Sequence, residues 1–239
     1  MIDLHIHILP GVDDGAKTVY TALQMAEMAE DTGTDIMVVT PHANMPGIYE
    51  NTYDDHYKEK FRLLEQTFQE QHLQIQLIQG MEIFVTDDVV EKLDRHELIT
   101  LNHTRVPLVE FDFNEHFDYM QTMLQTLIDH HYQPLLAHPE RYRTFRYEPE
   151  KMTLLKQMGV LIQVNKSSVL GHFGRSIQKC ADFFLNHGWV DVAASDAHGV
   201  RSRTPELDDL YYYLDAEYGL AETLLEDNPR RILSPAKVK

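Results

Sequence analysis

The opening stretch Ile2-Asp3-Leu4-His5-Ile6-His7-Ile8-Leu9-Pro10-Gly11-Val12-Asp13-Asp14-Gly15 reads as a strand that ends where Pro10-Gly11 breaks it. Successive side chains of a strand point to opposite faces, so His5 and His7 share one side while Ile6 packs on the other. Two imidazoles paired in this way form half of a metal site.

Outward from this stretch, apolar runs recur as Ile36-Met37-Val38-Val39, Ile75-Gln76-Leu77-Ile78, Pro107-Leu108-Val109, Pro134-Leu135-Leu136, Val160-Leu161-Ile162-Gln163-Val164 and Val190-Asp191-Val192-Ala193-Ala194. With Ile2 to Ile6 they make seven candidate strands. Helical period appears between them at Val19, Ala22, Leu23 and Ala26, at Met120, Met123, Leu124, Leu127 and Ile128, and at Ile177, Cys180, Ala181, Phe184 and Leu185. Gly33 and Gly188 stand where helices would stop, and a last helix is expected from Pro205 to Tyr218. Strand and helix in alternation imply parallel pairing. Without a Gly-rich nucleotide loop, the pattern predicts an α/β fold closed into a barrel, as one domain spanning residues 1–239. The most loop-like interval, Asn44 to Asp55, is expected to overhang the second strand.

Polar residues follow these strands in a regular way. His42 follows the second, Glu82 the third, Glu110 the fourth, His138 the fifth and Asp196-Ala197-His198 the last. In a parallel barrel the carboxyl ends of the strands meet at one mouth, where active sites are built. Adding Asp14 gives His5, His7, Asp14, His42, Glu82, Glu110, His138, Asp196 and His198, more donors than one ion needs. Nitrogen and oxygen donors without thiolate suit Mn, Fe or Zn, and three divalent ions with about three ligands each would use the whole set. The other histidines, such as His56, His72, His130 and His131, have no such placement and read as solvated. Strand alternation does not choose between Asp13 and Asp14, because Pro10-Gly11 has already ended the strand.

The chain carries 38 acidic and 21 basic residues, a formal charge of −17, which argues against nucleic acid or an anionic membrane as the main partner. Cys180 is the sole cysteine, so no intrachain disulfide forms, and no apolar run of signal-peptide or membrane-span character interrupts the fold; a cytoplasmic protein is expected. A cysteine-dependent phosphatase needs Cys-x5-Arg, but position 186 is Asn and Cys180 lies on an apolar helical stripe. Gly-x-Ser-x-Gly and Gly-x4-Gly-Lys-Ser/Thr are also missing.

His-x-His with Pro-Gly-Val-Asp-Asp-Gly, then Thr40-Pro41-His42, the isolated Glu82 and Glu110, Ala137-His138-Pro139-Glu140-Arg141-Tyr142 and Ser195-Asp196-Ala197-His198 resemble the PHP (polymerase and histidinol phosphatase) superfamily. More closely, the chain is similar to the bacterial capsule-type (CpsB/CapC) manganese-dependent protein-tyrosine phosphatases, from about Asp3 to Ile232. The resemblance implies a distorted (β/α)7 TIM-like barrel and a trinuclear manganese centre. It implies His5, His7, Glu82 and Asp196 on one ion, Glu82, Glu110 and His138 on a second, and Asp14, His42 and His198 on a third, favouring Asp14 over Asp13. The implied substrate is the phosphotyrosine-containing C-terminal tail of an autophosphorylated bacterial tyrosine kinase that controls capsule or exopolysaccharide synthesis.

Three divalent ions against four carboxylates would leave about +2 at the mouth, enough to draw in a phosphate dianion, and closely spaced ions activate water for direct in-line attack. Arg141 and Arg203 are the expected donors to the phosphoryl oxygens. A phenol of pKa about 10 departs readily, so no dedicated general acid is required. Tyr49, Tyr142, Phe145 and Tyr147 either form an aromatic rim beside a phosphotyrosine ring or, as loop aromatics more often do, pin their loops to the barrel, and Lys166, in the segment Asn165 to Gly174, either faces the anion or serves loop architecture alone. Competing expectations are a histidinol-phosphate or other small phosphomonoester phosphatase and a non-catalytic phosphotyrosine-binding module. An amidohydrolase or TatD-like nuclease shares the opening His-x-His but fits Asp14 and Asp196-x-His198 less well.

Overall fold

In the computed structural model, which describes residues 1–234, the strands are β1 (Ile2–Ile6), β2 (Ile36–Val39), β3 (His42–Ala43), β4 (Gln76–Gln79), β5 (Glu82–Phe84), β6 (Leu108–Glu110), β7 (Leu135–Leu136), β8 (Leu161–Asn165) and β9 (Val192–Ala194). Positions 235–239 of the expected single domain lie outside the described residues. All ladder pairings are parallel, in the orders β1-β2-β4 and β3-β5-β6-β7-β8-β9. β2 with β3, and β4 with β5, are single runs interrupted by Thr40-Pro41 and Gly80-Met81, so the barrel has seven staves as the sequence predicts.

Local chemistry explains the interruptions. Pro41 has no N–H for the ladder; beside it, the Thr40 hydroxyl accepts the Ile6 N–H at 2.9 Å in place of a backbone partner. Gly80 lies so close to β2 that a Cβ there would meet Val38 Cγ1 at 2.8 Å.

A seam between β9 and β1 closes the ring. Ile6 bridges Ala197, His7 N–H donates to the Ala197 carbonyl at 3.0 Å, and Asp196 N–H donates to the His5 carbonyl at 2.9 Å. Asp3, fully buried, supports this seam by accepting from Ser195 N–H at 3.1 Å and from the Ser195 hydroxyl. Its carboxyl is pushed up by burial, which the Ser195 hydrogen bonds only partly offset.

Around the barrel lie α1 (Val19–Asp31), α2 (Asp55–Glu70), α3 (Val89–Asp94), α4 (Phe117–Asp129), α5 (Arg143–Tyr147), α6 (Met152–Met158), α7 (Lys166–Val169), α8 (Arg175–Asn186), α9 (Asp208–Tyr218) and α10 (Asn228–Leu233). The sequence stripes of α4 and α8 are largely the faces they bury, Met120, Met123, Leu124 and Leu127, and Cys180, Ala181, Phe184 and Leu185, whereas on α1 the buried face is Ala22, Met25, Ala26 and Ala29 and the expected Val19 is exposed. Cys180 is thus a core residue, its thiol pushed up by burial. α2 is capped by Asp54, which accepts the Tyr57 N–H at 2.9 Å, and buries Tyr57, Phe61, Leu64 and Phe68. The last predicted helix begins at Asp208 rather than Pro205, with Asp208 and Asp209 in the first turn, where carboxylates favour the positive end of the helix dipole. No described helix is long and apolar enough to cross a membrane.

Asp3→Ala removes the acceptor of the buried Ser195 and His5 N–H groups and leaves the Ser195 hydroxyl only the His5 carbonyl at 3.4 Å, and should destabilise the fold by about 3 kcal/mol in urea unfolding. Asp3→Asn should cost less, because one carbonyl oxygen remains; equal stability of D3A and the parent chain would remove Asp3 from the seam.

Candidate active site

All nine candidates meet at the carboxyl ends of the strands. His5 and Glu110 lie on β1 and β6, His42 and Glu82 open the short strands β3 and β5, and His138, Asp196 and His198 come from the connections after β7 and β9. The other nine histidines of the chain are all exposed. Candidate ligand atoms gather in overlapping groups: His5, His7 and Asp196; His5, Glu82 and His138; His42, Glu82 and Glu110; His7, Asp14, His42 and His198.

Glu82 is at the centre, its oxygens within 3.2 Å of ring nitrogens of His5, His7, His42 and His138. His42 turns Nδ1 toward Glu82 and Glu110, at 2.9 Å from each, and Nε2 toward Asp14 at 3.5 Å, so one ring reaches two groups. His198 Nε2 stands 3.4 Å from the same Asp14 oxygen.

Several of these contacts are not hydrogen bonds. His42 Nδ1, Glu82 Oε2, Glu110 Oε1, Asp196 Oδ1 and His198 Nε2 are buried without a partner in hydrogen-bond alignment among the described residues. Buried polar atoms are almost always paired, so lone pairs facing one another here are a donor set arranged for cations. The residues therefore fit divalent metal ions: buried nitrogen and carboxylate oxygen donors, with no thiolate.

The two adjacent aspartates separate cleanly. Asp14 is half-exposed and joins His42 and His198. Asp13 is buried: it touches His7 Nδ1 at 2.8 Å and accepts from Gly15 N–H at 2.9 Å and His42 N–H at 3.0 Å. This turn needs Gly15, where a Cβ would lie 2.0 Å from the His7 carbonyl oxygen.

The far nitrogen of His5 is held in the same manner, Nδ1 lying 3.2 Å from Gln163 Oε1. With Nδ1–H donating outward in each ring, both Nε2 lone pairs face the cavity. Gln163 also donates to Asn165 at 2.7 Å, and Asn165 donates to Asp196 Oδ2. Asp13, Gln163 and Asn165 thus position candidate ligands, a role the sequence reading missed. Their signal is a polar residue within an apolar strand, as at Gln163.

Electrostatics follow from burial. Burial opposes the charge on Glu82 and Asp196, yet His5 beside each, with His42 and Arg203 respectively, holds both well below the usual carboxylate range. Glu110 is raised by burial and by Glu82. His42 is pushed up to about 10, since Glu82 and Glu110 outweigh its desolvation, whereas burial brings His138 and His198 down to about 4. The last two are therefore neutral imidazoles at pH 7, the form that binds metals.

Arg141 Nη1 and Arg203 Nη2 reach Asp196 at 3.2 and 2.6 Å and line the same cavity of about 590 Å3. Tyr49 stacks on His42 with ring centroids 5.6 Å apart and planes 3° from parallel. Met45, Pro46 and Ile48 of the 44–55 loop line this cavity with Tyr49, and Phe84, Phe111 and Phe113 complete its apolar wall.

Of the two readings of the other loop aromatics, pinning to the barrel holds for Tyr142 and Phe145, and the rim does not extend to them or to Tyr147. Tyr142 and Phe145 are fully buried, the Tyr142 hydroxyl accepting the Phe111 N–H at 3.1 Å, and Tyr147 lines a different surface depression with Arg143 and Lys151. Lys166 does not face the anion either. Its ammonium donates to the carbonyls of Thr204 and Glu206, tying α7 to the segment before α9.

A parallel barrel with nitrogen and oxygen donors crowded at its carboxyl mouth is the architecture of the PHP class of metallohydrolases. A family profile described as "Capsular polysaccharide synthesis, CpsB/CapC" matches residues 1–234, and the chain belongs to that family. It is 31% identical over 219 residues to the tyrosine-protein phosphatase YwqE of Bacillus subtilis (strain 168), covering 92% of this chain and 85% of the relative. It is 30% identical over 240 residues to the tyrosine-protein phosphatase CpsB of Streptococcus agalactiae serotype III (strain NEM316), covering 98% of each. Among solved structures, a chain from the work on YwqE of Bacillus subtilis and CpsB of Streptococcus pneumoniae, described as unique metal-dependent tyrosine phosphatases, superposes with a TM-score of 0.90 at 30% identity, over 98% of this chain and 94% of that one.

Asp13→Ala should weaken metal binding about 10- to 100-fold, measured by competition with a chelator, because His7 loses the acceptor that orients it. Unchanged affinity would show that Asp13 only shapes the turn.

Proposed function

We propose that the whole chain, residues 1–239, is one catalytic domain, a metal-dependent protein-tyrosine phosphatase that hydrolyses phosphotyrosine on the C-terminal tail of an autophosphorylated bacterial tyrosine kinase controlling capsule or exopolysaccharide synthesis, in the cytoplasm. The observation that carries this reading is the set of orphaned lone pairs of Glu82, Glu110, His42, Asp196 and His198, which face one another beside two guanidiniums. Three manganese ions are the proposed complement. His5, His7, Glu82 and Asp196 would hold one, Glu82, Glu110 and His138 a second, and Asp14, His42 and His198 a third. When bound, they supply the Lewis acidity that activates water and neutralises charge developing at phosphorus.

The chain's own residues provide the rest. Arg141 and Arg203 approach Asp196 together, placing two positive charges on the cavity wall, and the buried Arg203 Nε–H has no acceptor among the described residues. Fork-shaped donors of this kind match phosphoryl oxygens. They draw a dianion into a protein whose overall charge of −17 would repel it. Tyr49 on one wall and Phe113 on another give an aryl ring apolar surface to lie against. That selects a phenyl ester over an alkyl one, and a phenolate leaving group of pKa about 10 needs no protein acid.

Arg141→Ala should lower kcat/KM for a phosphotyrosyl peptide by about 10- to 100-fold, the loss of a charge-assisted hydrogen bond, with metal content unchanged. Metal loss in R141A would instead make Arg141 a support for Asp196. At equal metal occupancy the phosphotyrosyl peptide should be turned over in preference to histidinol phosphate; the reverse order overturns the substrate assignment, and stoichiometric binding without phosphate release would make the protein a binding module. Removing metal with a chelator should abolish hydrolysis, and adding back Mn should restore it.

A further inference from the structure

The segment Asn165 to Gly174 loses its candidate anion-facing residue once Lys166 is tied to Thr204 and Glu206, yet it brings another side chain to the site. After α7 the chain turns through Gly171 (φ 81°) and Gly174 (φ 92°), with Phe173 N–H donating to the Ser167 carbonyl at 3.3 Å. The Phe173 ring is thereby set against Arg141, its centroid 5.0 Å from the guanidinium carbon. Phe113, from the connection after β6, has its centroid 4.4 Å from the same atom. Arg141 itself comes from the connection after β7, so two neighbouring loops of the barrel mouth each lend it a ring.

We propose that Phe113 and Phe173 act as an aromatic clamp that holds the Arg141 guanidinium ready for the phosphoryl group, Phe173 being a positioning residue rather than a catalytic one. A long arginine side chain ordinarily loses much rotamer freedom when it binds an anion. Ring faces attract the cation electrostatically and narrow its orientations beforehand, so that less ordering remains when phosphate arrives. One N–H already points to Asp196 at 3.2 Å, and the remaining edge donors are left for the substrate. A lysine at position 141 would present no flat face to two rings, which makes the clamp specific to a guanidinium.

Phe173 gives the cleaner test, because Phe113 also lines the cavity and meets the His138 ring at 5.8 Å, whereas Phe173 is not on the cavity wall. The clamp rests on the reading of Arg141 as the phosphoryl donor, so the experiment is a double-mutant cycle on the full, metal-loaded chain. The variants are R141A, F173A, F173L, F173Y and R141A/F173A; the readouts are kcat and KM for a phosphotyrosyl peptide, the inhibition constant of inorganic phosphate and metal content. F173A should raise KM and the phosphate inhibition constant about five- to tenfold with full metal content and a smaller change in kcat. F173L, which keeps bulk without a ring face, should follow F173A, and F173Y should restore the parent values. In the R141A background, F173A should change either constant less than twofold.

An F173A effect of equal size with and without Arg141 overturns the clamp while leaving the reading of Arg141 intact. So does an F173L variant that behaves as the parent, which would make Phe173 a space-filler; this arm also decides the matter if F173A fails to fold. If R141A leaves the phosphate inhibition constant unchanged, Arg141 is not the phosphoryl donor and the clamp falls with it.

Discussion

Four carboxylates, three of them buried, share one end of this barrel, and their mutual repulsion is the constraint around which the remaining residues are arranged. Glu82 and Glu110, on paired strands, make the case plainly: Glu82 stays ionised because imidazoles surround it, and Glu110 is raised because it lies next to Glu82. An anionic cluster in a low-dielectric interior persists only with positive charge among its oxygens. Protonated imidazoles and two arginines provide part of that charge, as the rise of His42 to about 10 shows. Divalent ions would provide it more fully while releasing the imidazoles to serve as neutral donors.

The fold holds this arrangement through devices away from the mouth. Asp3 ties the first strand to the last, so His5 and His7 come into register with Asp196. The close approach of Gly15 to His7 folds the connection after β1 back until Asp13 meets the His7 ring. Gln163 links two elements at once, touching His5 and accepting the His138 N–H at 3.1 Å. His5 and His138 thus draw their orientation from Gln163 on another strand, and His7 from Asp13 in its own connection, the type of support that preorganises a metal site.

The staves and the nine converging donors were legible because each depends on a local signal: an apolar run of strand length, and a His, Asp or Glu at or near its end. The interruptions at Thr40-Pro41 and Gly80-Met81 were not, since the chain carries on in the same direction across them. α2 escaped notice because its many charged residues mask a stripe of only Tyr57, Phe61, Leu64 and Phe68. The aromatic rim stayed undecided at Tyr142 and Phe145 because position on a loop does not say which way a ring faces; here the interior takes both. Lys166 stayed undecided for a related reason, as its partners at Thr204 and Glu206 belong to a distant part of the chain. Strand alternation left Asp13 and Asp14 open and only the family resemblance favoured Asp14; in the structure their partners differ, His42 and His198 for Asp14 and His7 for Asp13.

His138, Asp196 and Arg203 all have left-handed backbone, with φ of 35°, 50° and 49°. Outside glycine this conformation is uncommon, and Asn, Asp and His enter it more readily than other side chains, so it is Arg203 that is held there at a cost on the order of 1 kcal/mol or more. At Arg203 conformational ease and charge therefore pull apart: glycine would relax the chain and delete the guanidinium beside Asp196. Local stability and the positive charge on the cavity wall are thus set against each other at a single turn, and the chain keeps the charge.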